Sequence, residues 1–260
     1  MGELEATLRA ARERGRKLLV PYVTGGFGDD WTDVVRAVAA AGADAIEIGI
    51  PFSDPVMDGP TIQEASERAL AAGVTPQSVL DGLRALDAGV PLAVMTYYNI
   101  AFHMGHERFA RSLVDVGVSA AILPDLPLEE AGPWCAVADD AGVETVMLAA
   151  PTAPDERLPR ICARSRGFVY GVGLLGVTGE RSAVASSALV MAKRLKAVTD
   201  VPVLVGVGVS TAAQAVEICQ EADGVIVGSA LIRRLLDGEG PEGAAAFVAA
   251  LRNGLDGGCS

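Results

Sequence analysis

One unit recurs about eight times along this chain: a short apolar run, a turn, and a stretch with helical spacing. The apolar runs fall at 18–23, 45–50, 92–97, 120–123, 145–149, 168–172, 203–207 and 224–227. Their near-continuous hydrophobicity suits strands of a parallel sheet covered on both faces, since a strand with one wet face would alternate. Helical candidates lie between and after them at 31–41, 76–86, 107–116, 129–140, 155–165, 188–198, 211–221 and 243–255. Eight such units in 260 residues predict an α/β fold, a single-domain TIM (β/α)8 barrel over 1–260 with its active site at the C-terminal ends of the strands. An open doubly wound sheet fits less well, because no GxGxxG follows the first run. Several strands are introduced by similar phrases ending at Asp44, Ser119, Glu144 and Gly224, in which a glycine near a helix end and a polar residue turn the chain.

Composition narrows the function. Half the residues are hydrophobic and 21% are charged, enough apolar mass for a sizeable core. A formal net charge of −12 argues against nucleic acid and anionic membrane surfaces, which both demand an excess of Lys and Arg. No 18-residue apolar run and no signal-peptide pattern occurs, and the first residues are charged and helix-like, so a cytoplasmic protein is expected. Cys135, Cys162, Cys219 and Cys259 are scattered with no CxxC, which predicts reduced thiols and no zinc. His103 and His106 flank Gly105 without a third ligand nearby, and a surface loop is the expectation for them.

The second run carries the sharpest chemical signal. Alternation along a strand points Ile46, Ile48 and Ile50 one way and Ala45, Glu47 and Gly49 the other. With helices packed outside the barrel, Glu47 faces a narrow interior beside small neighbours. Burying an unpaired carboxylate costs several kcal/mol, roughly, and favours its protonated form. Asp58 follows in the next loop, in a polar turn where it should stay ionised. Two acids in unlike settings suit proton-transfer chemistry. The other reading of Glu47 is a satisfied core acid or an ordinary ion pair.

The turns after the seventh and eighth runs contain Gly206-Val-Gly-Val-Ser210 and Gly228-Ser-Ala-Leu231. Glycine lets main-chain N–H groups approach a ligand, helix N-termini favour anions, and these two loops are the usual phosphate site of such barrels. The alternative is that Ser210 and Ser229 are plain N-caps. Tyr170 shares a strand face with Phe168 and Val172, and parity alone leaves open whether it lines the mouth. The segment 173–187 is glycine-rich, far longer than an ordinary connection and without helical period before Ala188, which fits a closing lid, the other reading being a passive surface loop. Lys17, Lys193 and Lys196 sit at a strand start or within helices, which argues against a Schiff-base mechanism.

Taken in order, Pro-Tyr-Val-Thr24, the run from Glu47 to Gln63, Tyr97-Tyr-Asn99, Pro124-Asp-Leu-Pro127, Gly176-Val-Thr-Gly179, Gly206-Val-Gly-Val-Ser210 and Gly228-Ser229 resemble the α subunit of tryptophan synthase, over about 18–236. The run Glu47-Ile-Gly-Ile-Pro-Phe-Ser-Asp-Pro-Val-Met-Asp-Gly-Pro-Thr-Ile-Gln63 is its most specific element. The resemblance implies a carbon–carbon lyase that splits indole-3-glycerol phosphate into indole and glyceraldehyde 3-phosphate. In it Glu47 would be the acid and base, Asp58 would hold the indole N–H, and Tyr170 would position Glu47 and substrate. Tyr22 would lie beside the indole, Thr178 in the lid, and Gly179, Gly208, Gly228 and Ser229 around the phosphate. It also implies a β subunit that carries pyridoxal phosphate, in an α2β2 assembly, faced by Asp54, Asn99 and Pro127, and no cofactor in this chain.

Departures from the family pattern fall in the first loop, where Thr24-Gly-Gly-Phe-Gly-Asp-Asp30 stands in place of the common Gly-Asp-Pro turn, and at Ile100, Gly173 and Val207. They touch the lid and the partner-facing rim. They leave open a stand-alone indole-3-glycerol phosphate lyase that releases free indole.

Overall fold

The computed structural model describes residues 1–173, 181–206 and 208–258, the stretch 181–186 by its main chain only. The strands are β1 (Leu18–Thr24), β2 (Ile46–Gly49), β3 (Leu92–Met95), β4 (Ala120–Ile122), β5 (Glu144–Ala149), β6 (Val169–Val172), β7 (Val203–Gly206) and β8 (Gly224–Val227). All neighbours run parallel and the last strand pairs with the first, closing the barrel in chain order.

The helices are α1 (Glu3–Glu13), α2 (Trp31–Ala40), α3 (Pro60–Ala71), α4 (Pro76–Arg84), α5 (Tyr98–Met104), α6 (His106–Asp115), α7 (Gly132–Ala141), α8 (Leu158–Arg164), α9 (Arg181–Lys196), α10 (Ala212–Ile218), α11 (Ser229–Leu236) and α12 (Gly240–Gly257).

Strand parity divides the core. Ile46, Ile48 and Ile50 join the layer between barrel and helices. Val20, Ala45, Ala93, Ala120, Ile122, Val146, Phe168, Leu204 and Ile226 fill the interior. The lower end is closed by α1, whose Leu4, Leu8 and Ala11 pack on that interior set. Leu4 and Leu8 are fully buried, each contributing about 1.5–3 kcal/mol of transfer free energy. The Glu144 carboxylate receives the first N–H groups of α1, from Leu4 at 2.7 Å and Glu5 at 3.0 Å. It thereby satisfies two donors that a helix start leaves without intrahelical partners.

Four expectations need correction. The helix after β6 begins at Arg181, so 181–187, read as part of a loop, is helical main chain, and 174–180 lies outside the described residues. Helices α3 and α5 were not among the expected elements. The start of α3 is set by Pro60 in its first turn after Gly59. The strand read as 92–97 ends at Met95, and Tyr97 is instead the residue before α5. His103 and His106 are helical as well: His106 opens α6, its Nε2 lies 3.0 Å from the Tyr98 hydroxyl, and its ring packs against Trp134.

Candidate active site

The cavity at the C-terminal mouth has a volume of about 190 Å³. Register pairs Tyr22 of β1 with Glu47 of β2, and Glu47 with Ala93 of β3, so the acid stands between a phenol and a methyl group. Its inward neighbours Ala45 and Ala93 are small and leave it room. Glu47 is 1% exposed, and its Oε2 has no hydrogen-bond partner. Burial, with a smaller contribution from the negative charge of Asp58, pushes its carboxyl up to about 8. No ion pair among the described residues includes it, so the ordinary ion-pair reading fails.

Asp58 lines the same cavity from the loop between β2 and α3. Its setting differs from the polar turn expected. The residue is half-buried, and desolvation raises its carboxyl while the Tyr97 hydroxyl, as a hydrogen-bond donor, pulls it back down. Gln63 of α3 holds the main chain at this point, donating from Nε2 to the Asp58 carbonyl at 2.8 Å.

Barrel closure decides the orientation of Tyr170. It points inward beside Phe168, with ring centroids 6.1 Å apart, and lines the cavity. Burial first, then the charges of Glu47 and Asp58, raise its hydroxyl well above the usual phenol range. The same causes act on Tyr22, where Asp58 is the larger of the two charges. Both phenols are therefore neutral donors.

Space for these rings comes from glycines on the adjoining strands. A methyl group at Gly49 would collide with the Tyr22 hydroxyl, and one at Gly206 would sit 2.5 Å from that of Tyr170. Met57, Ile62, Met95, Leu148 and Ile226 supply apolar walls suited to a flat ring system.

Across the mouth, Gly208, Gly228 and Ser229 line the cavity. Gly208 has φ +45°, a left-handed conformation that favours glycine. Gly228 caps α11 and its carbonyl accepts from Leu231 at 2.9 Å and Ile232 at 3.0 Å, so the first turn of the helix opens toward the cavity. This arrangement can receive an anion. The N-cap reading fails for both serines. The cap of α10 is Thr211, in a reciprocal box with Gln214, and Ser210 only donates to Gln214, while Ser229 is the first residue of α11.

Thr178 and Gly179 lie outside the described residues, as does Val207. Asp54, Asn99 and Pro127 are all exposed, on the connections that follow β2, β3 and β4 at the mouth end. No group of three or more His, Cys, Asp or Glu among the described residues could hold a metal ion. Sequence reasoning missed Tyr97, which bridges to the Asp58 loop; its place in Tyr97-Tyr-Asn99 was the one available signal.

A closed (β/α)8 barrel with two unlike carboxylates under one mouth, and a helix start opposite them, defines an acid–base enzyme for an anionic substrate. More narrowly, the chain belongs to the tryptophan synthase alpha chain family, whose profile matches residues 8–255. A tryptophan synthase alpha chain from Thermobifida fusca (strain YX) is 48% identical over 243 residues, covering 91% of this chain and 90% of that one. Another, from Streptomyces coelicolor (strain ATCC BAA-471 / A3(2) / M145), is 44% identical and covers 98% of this chain and 97% of the relative. Among solved structures, a chain of Mycobacterium tuberculosis tryptophan synthase superposes with a TM-score of 0.90 at 40% identity, covering 98% of each chain. The tryptophan synthase subunit alpha of Legionella pneumophila str. Paris gives 0.90 at 31% identity and 99% coverage of each.

Proposed function

We propose that this chain, as one barrel unit over 1–260, cleaves indole-3-glycerol phosphate by a retro-aldol reaction, as the alpha subunit of a tryptophan synthase. The observation that carries the site assignment is Glu47, buried with an oxygen lacking a partner, in one cavity with Asp58. Expelling a carbon from an aromatic ring first requires a proton on C3 of the indole. The neutral Glu47 carboxyl delivers it, and positive charge develops on the ring nitrogen. Asp58 accepts the indole N–H and stabilises that charge. The Glu47 carboxylate left behind takes the proton of the side-chain hydroxyl as the carbon–carbon bond breaks, giving indole and the aldehyde of glyceraldehyde 3-phosphate. A carboxyl near 8 can hold a proton at neutral pH and still accept one, a role that contributes roughly 10²- to 10⁴-fold.

Tyr170 orients Glu47 and substrate, Tyr22 flanks the indole, and Gly208, Gly228 and Ser229 hold the phosphate together with Gly179, under a lid that includes Thr178. The rim of Asp54, Asn99 and Pro127 faces a β subunit in an α2β2 assembly. This chain then needs no cofactor, the pyridoxal phosphate belonging to the partner. The reading places the chain in the cytoplasm; no helix among the described residues is long and apolar enough to cross a membrane.

Incubating the purified chain with indole-3-glycerol phosphate, with and without a β subunit, tests this. Indole release that the β subunit stimulates is the expected result, and no indole in either case overturns it. Strong turnover without stimulation would move the assignment to the stand-alone lyase, which the names of the matching relatives do not favour.

A further inference from the structure

The loop that presents Asp58 is held from outside itself. Among the described residues, no main-chain to main-chain hydrogen bond anchors 51–58 to the barrel. Its fastenings are the Gln63 bond to the Asp58 carbonyl and a bond from the Met57 N–H to the Tyr97 hydroxyl at 2.9 Å. The Tyr97 ring adds a third, stacking on Phe52 of the same loop with centroids 5.1 Å apart and planes 26° from parallel.

Tyr97 is itself firmly placed. It is 4% exposed. On one side Thr96 donates its N–H to the Ile122 carbonyl at 3.1 Å, and on the other Tyr98 donates its N–H to Asp125 at 2.8 Å. The Tyr97 hydroxyl has one proton to give. Since it already accepts from Met57, that proton is free for the carboxylate of Asp58, the next residue, whose ionised form it favours.

We propose that Tyr97 is a positioning residue of the cleavage reaction: its hydroxyl clamps the main chain at Met57 and its ring packs on Phe52, fixing where Asp58 meets the indole N–H. The inference rests on the proposed function and deepens it. Tyr97 does not touch the reacting carbon; it acts through Asp58. The groups that share the cavity with Asp58 are Glu47 on β2, Tyr22 on β1 and Tyr170 on β6. Of these Glu47 is the one acid, and it disfavours a second negative charge. The hydroxyl of Tyr97 opposes that tendency, because a hydrogen bond to the ionised form favours it.

The test is Tyr97→Phe in the full chain, which keeps the ring and its stacking and removes only the oxygen, beside Phe52→Leu, which weakens the stacking and keeps the oxygen. Losing a hydrogen bond to a charged group predicts a fall in kcat of about 10- to 100-fold in Tyr97→Phe, with KM little changed. The acid limb of the pH profile moves to higher pH, and a ¹³C carboxyl titration of Asp58 in the free protein moves the same way. Phe52→Leu leaves that titration at the wild-type position.

If Tyr97→Phe lowers only thermal stability and the Asp58 titration stays in place, or if both variants move it equally, Tyr97 is merely structural and the proposal is overturned. Because the titration needs no turnover, it decides this point even where the wild-type chain releases no indole, an outcome that would overturn the function alone.

Discussion

The two ends of the barrel treat buried carboxylates in opposite ways. At the lower end Asp44, Glu144 and Asp223 are each no more than 8% exposed, and each is fully engaged. Asp44 accepts the Leu19 N–H at 2.9 Å and meets Arg16 at 2.6 Å and the buried Arg252 at 3.3 Å. Asp223 accepts the Val203 N–H at 2.8 Å and meets Lys196 at 2.9 Å. Glu144 holds the start of α1. At the mouth, Glu47 is buried more deeply than any of these and keeps one oxygen without a partner. Burial alone therefore does not set the proposed catalytic acid apart. The lower acids spend their oxygens on main-chain N–H groups and cations, whereas Glu47 keeps one oxygen without a partner and burial raises its proton affinity, the property that the proposed chemistry would use.

Exchanging the fates of the two ends gives the strongest test of that contrast. Glu47→Gln is expected to cut indole release by about 10²- to 10⁴-fold while the thermal midpoint stays level or rises. Steady-state assay and calorimetry on the same sample check it, and near-wild-type turnover would remove Glu47 from the chemistry. Asp44→Ala should do the reverse. It takes one of two carboxylate partners from the buried Arg252, leaving it Asp256, removes the acceptor of the Leu19 N–H, and costs about 3–5 kcal/mol of stability, read from urea midpoints, with turnover per folded molecule retained.

The comparison sharpens with pH. The Glu47 carboxyl is raised from 4.5 to about 8 in the folded chain, so the native state binds the extra proton between those values. Its contribution to stability is fully present below pH 4.5 and is lost as pH climbs toward about 8. A urea-midpoint series should therefore show wild type declining relative to Glu47→Gln over that window and levelling above it. The kcat/KM for cleavage should fall on the same alkaline limb, since the first step needs the protonated acid.

The smallest effect is expected at Gly206→Ala, where the new methyl group crowds the Tyr170 hydroxyl. Crowding of this kind costs about 1–3 kcal/mol, and the displaced phenol should lower kcat more than it weakens binding of inorganic phosphate at the opposite rim.

Much of the barrel is legible in the amino-acid sequence because its signals are local. Periodicity along the chain locates all eight strands to within about two residues, and parity by itself puts Glu47 on the face opposite the isoleucines. The glycine turns after β7 and β8 could be read because main-chain conformation constrains their residue type, as at Gly208. The missed helices were short or unusually started: α5 spans seven residues, too few for a helical period to stand out, and α3 follows directly on the loop that carries Asp58.

What the amino-acid sequence determined by itself was the number of β-to-α units, the side of β2 on which Glu47 lies, and the family of the chain. Only tertiary structure decided that Tyr170 faces inward, that Glu47 lacks a cationic partner whereas Asp44 has two, and that a phenol about forty residues away along the chain bonds to the Asp58 loop at Met57. Periodicity reports which residues share a face. Which face is inside, and what stands across from it, depends on the closure of β1 against β8, a contact between the two ends of the chain that no short window contains.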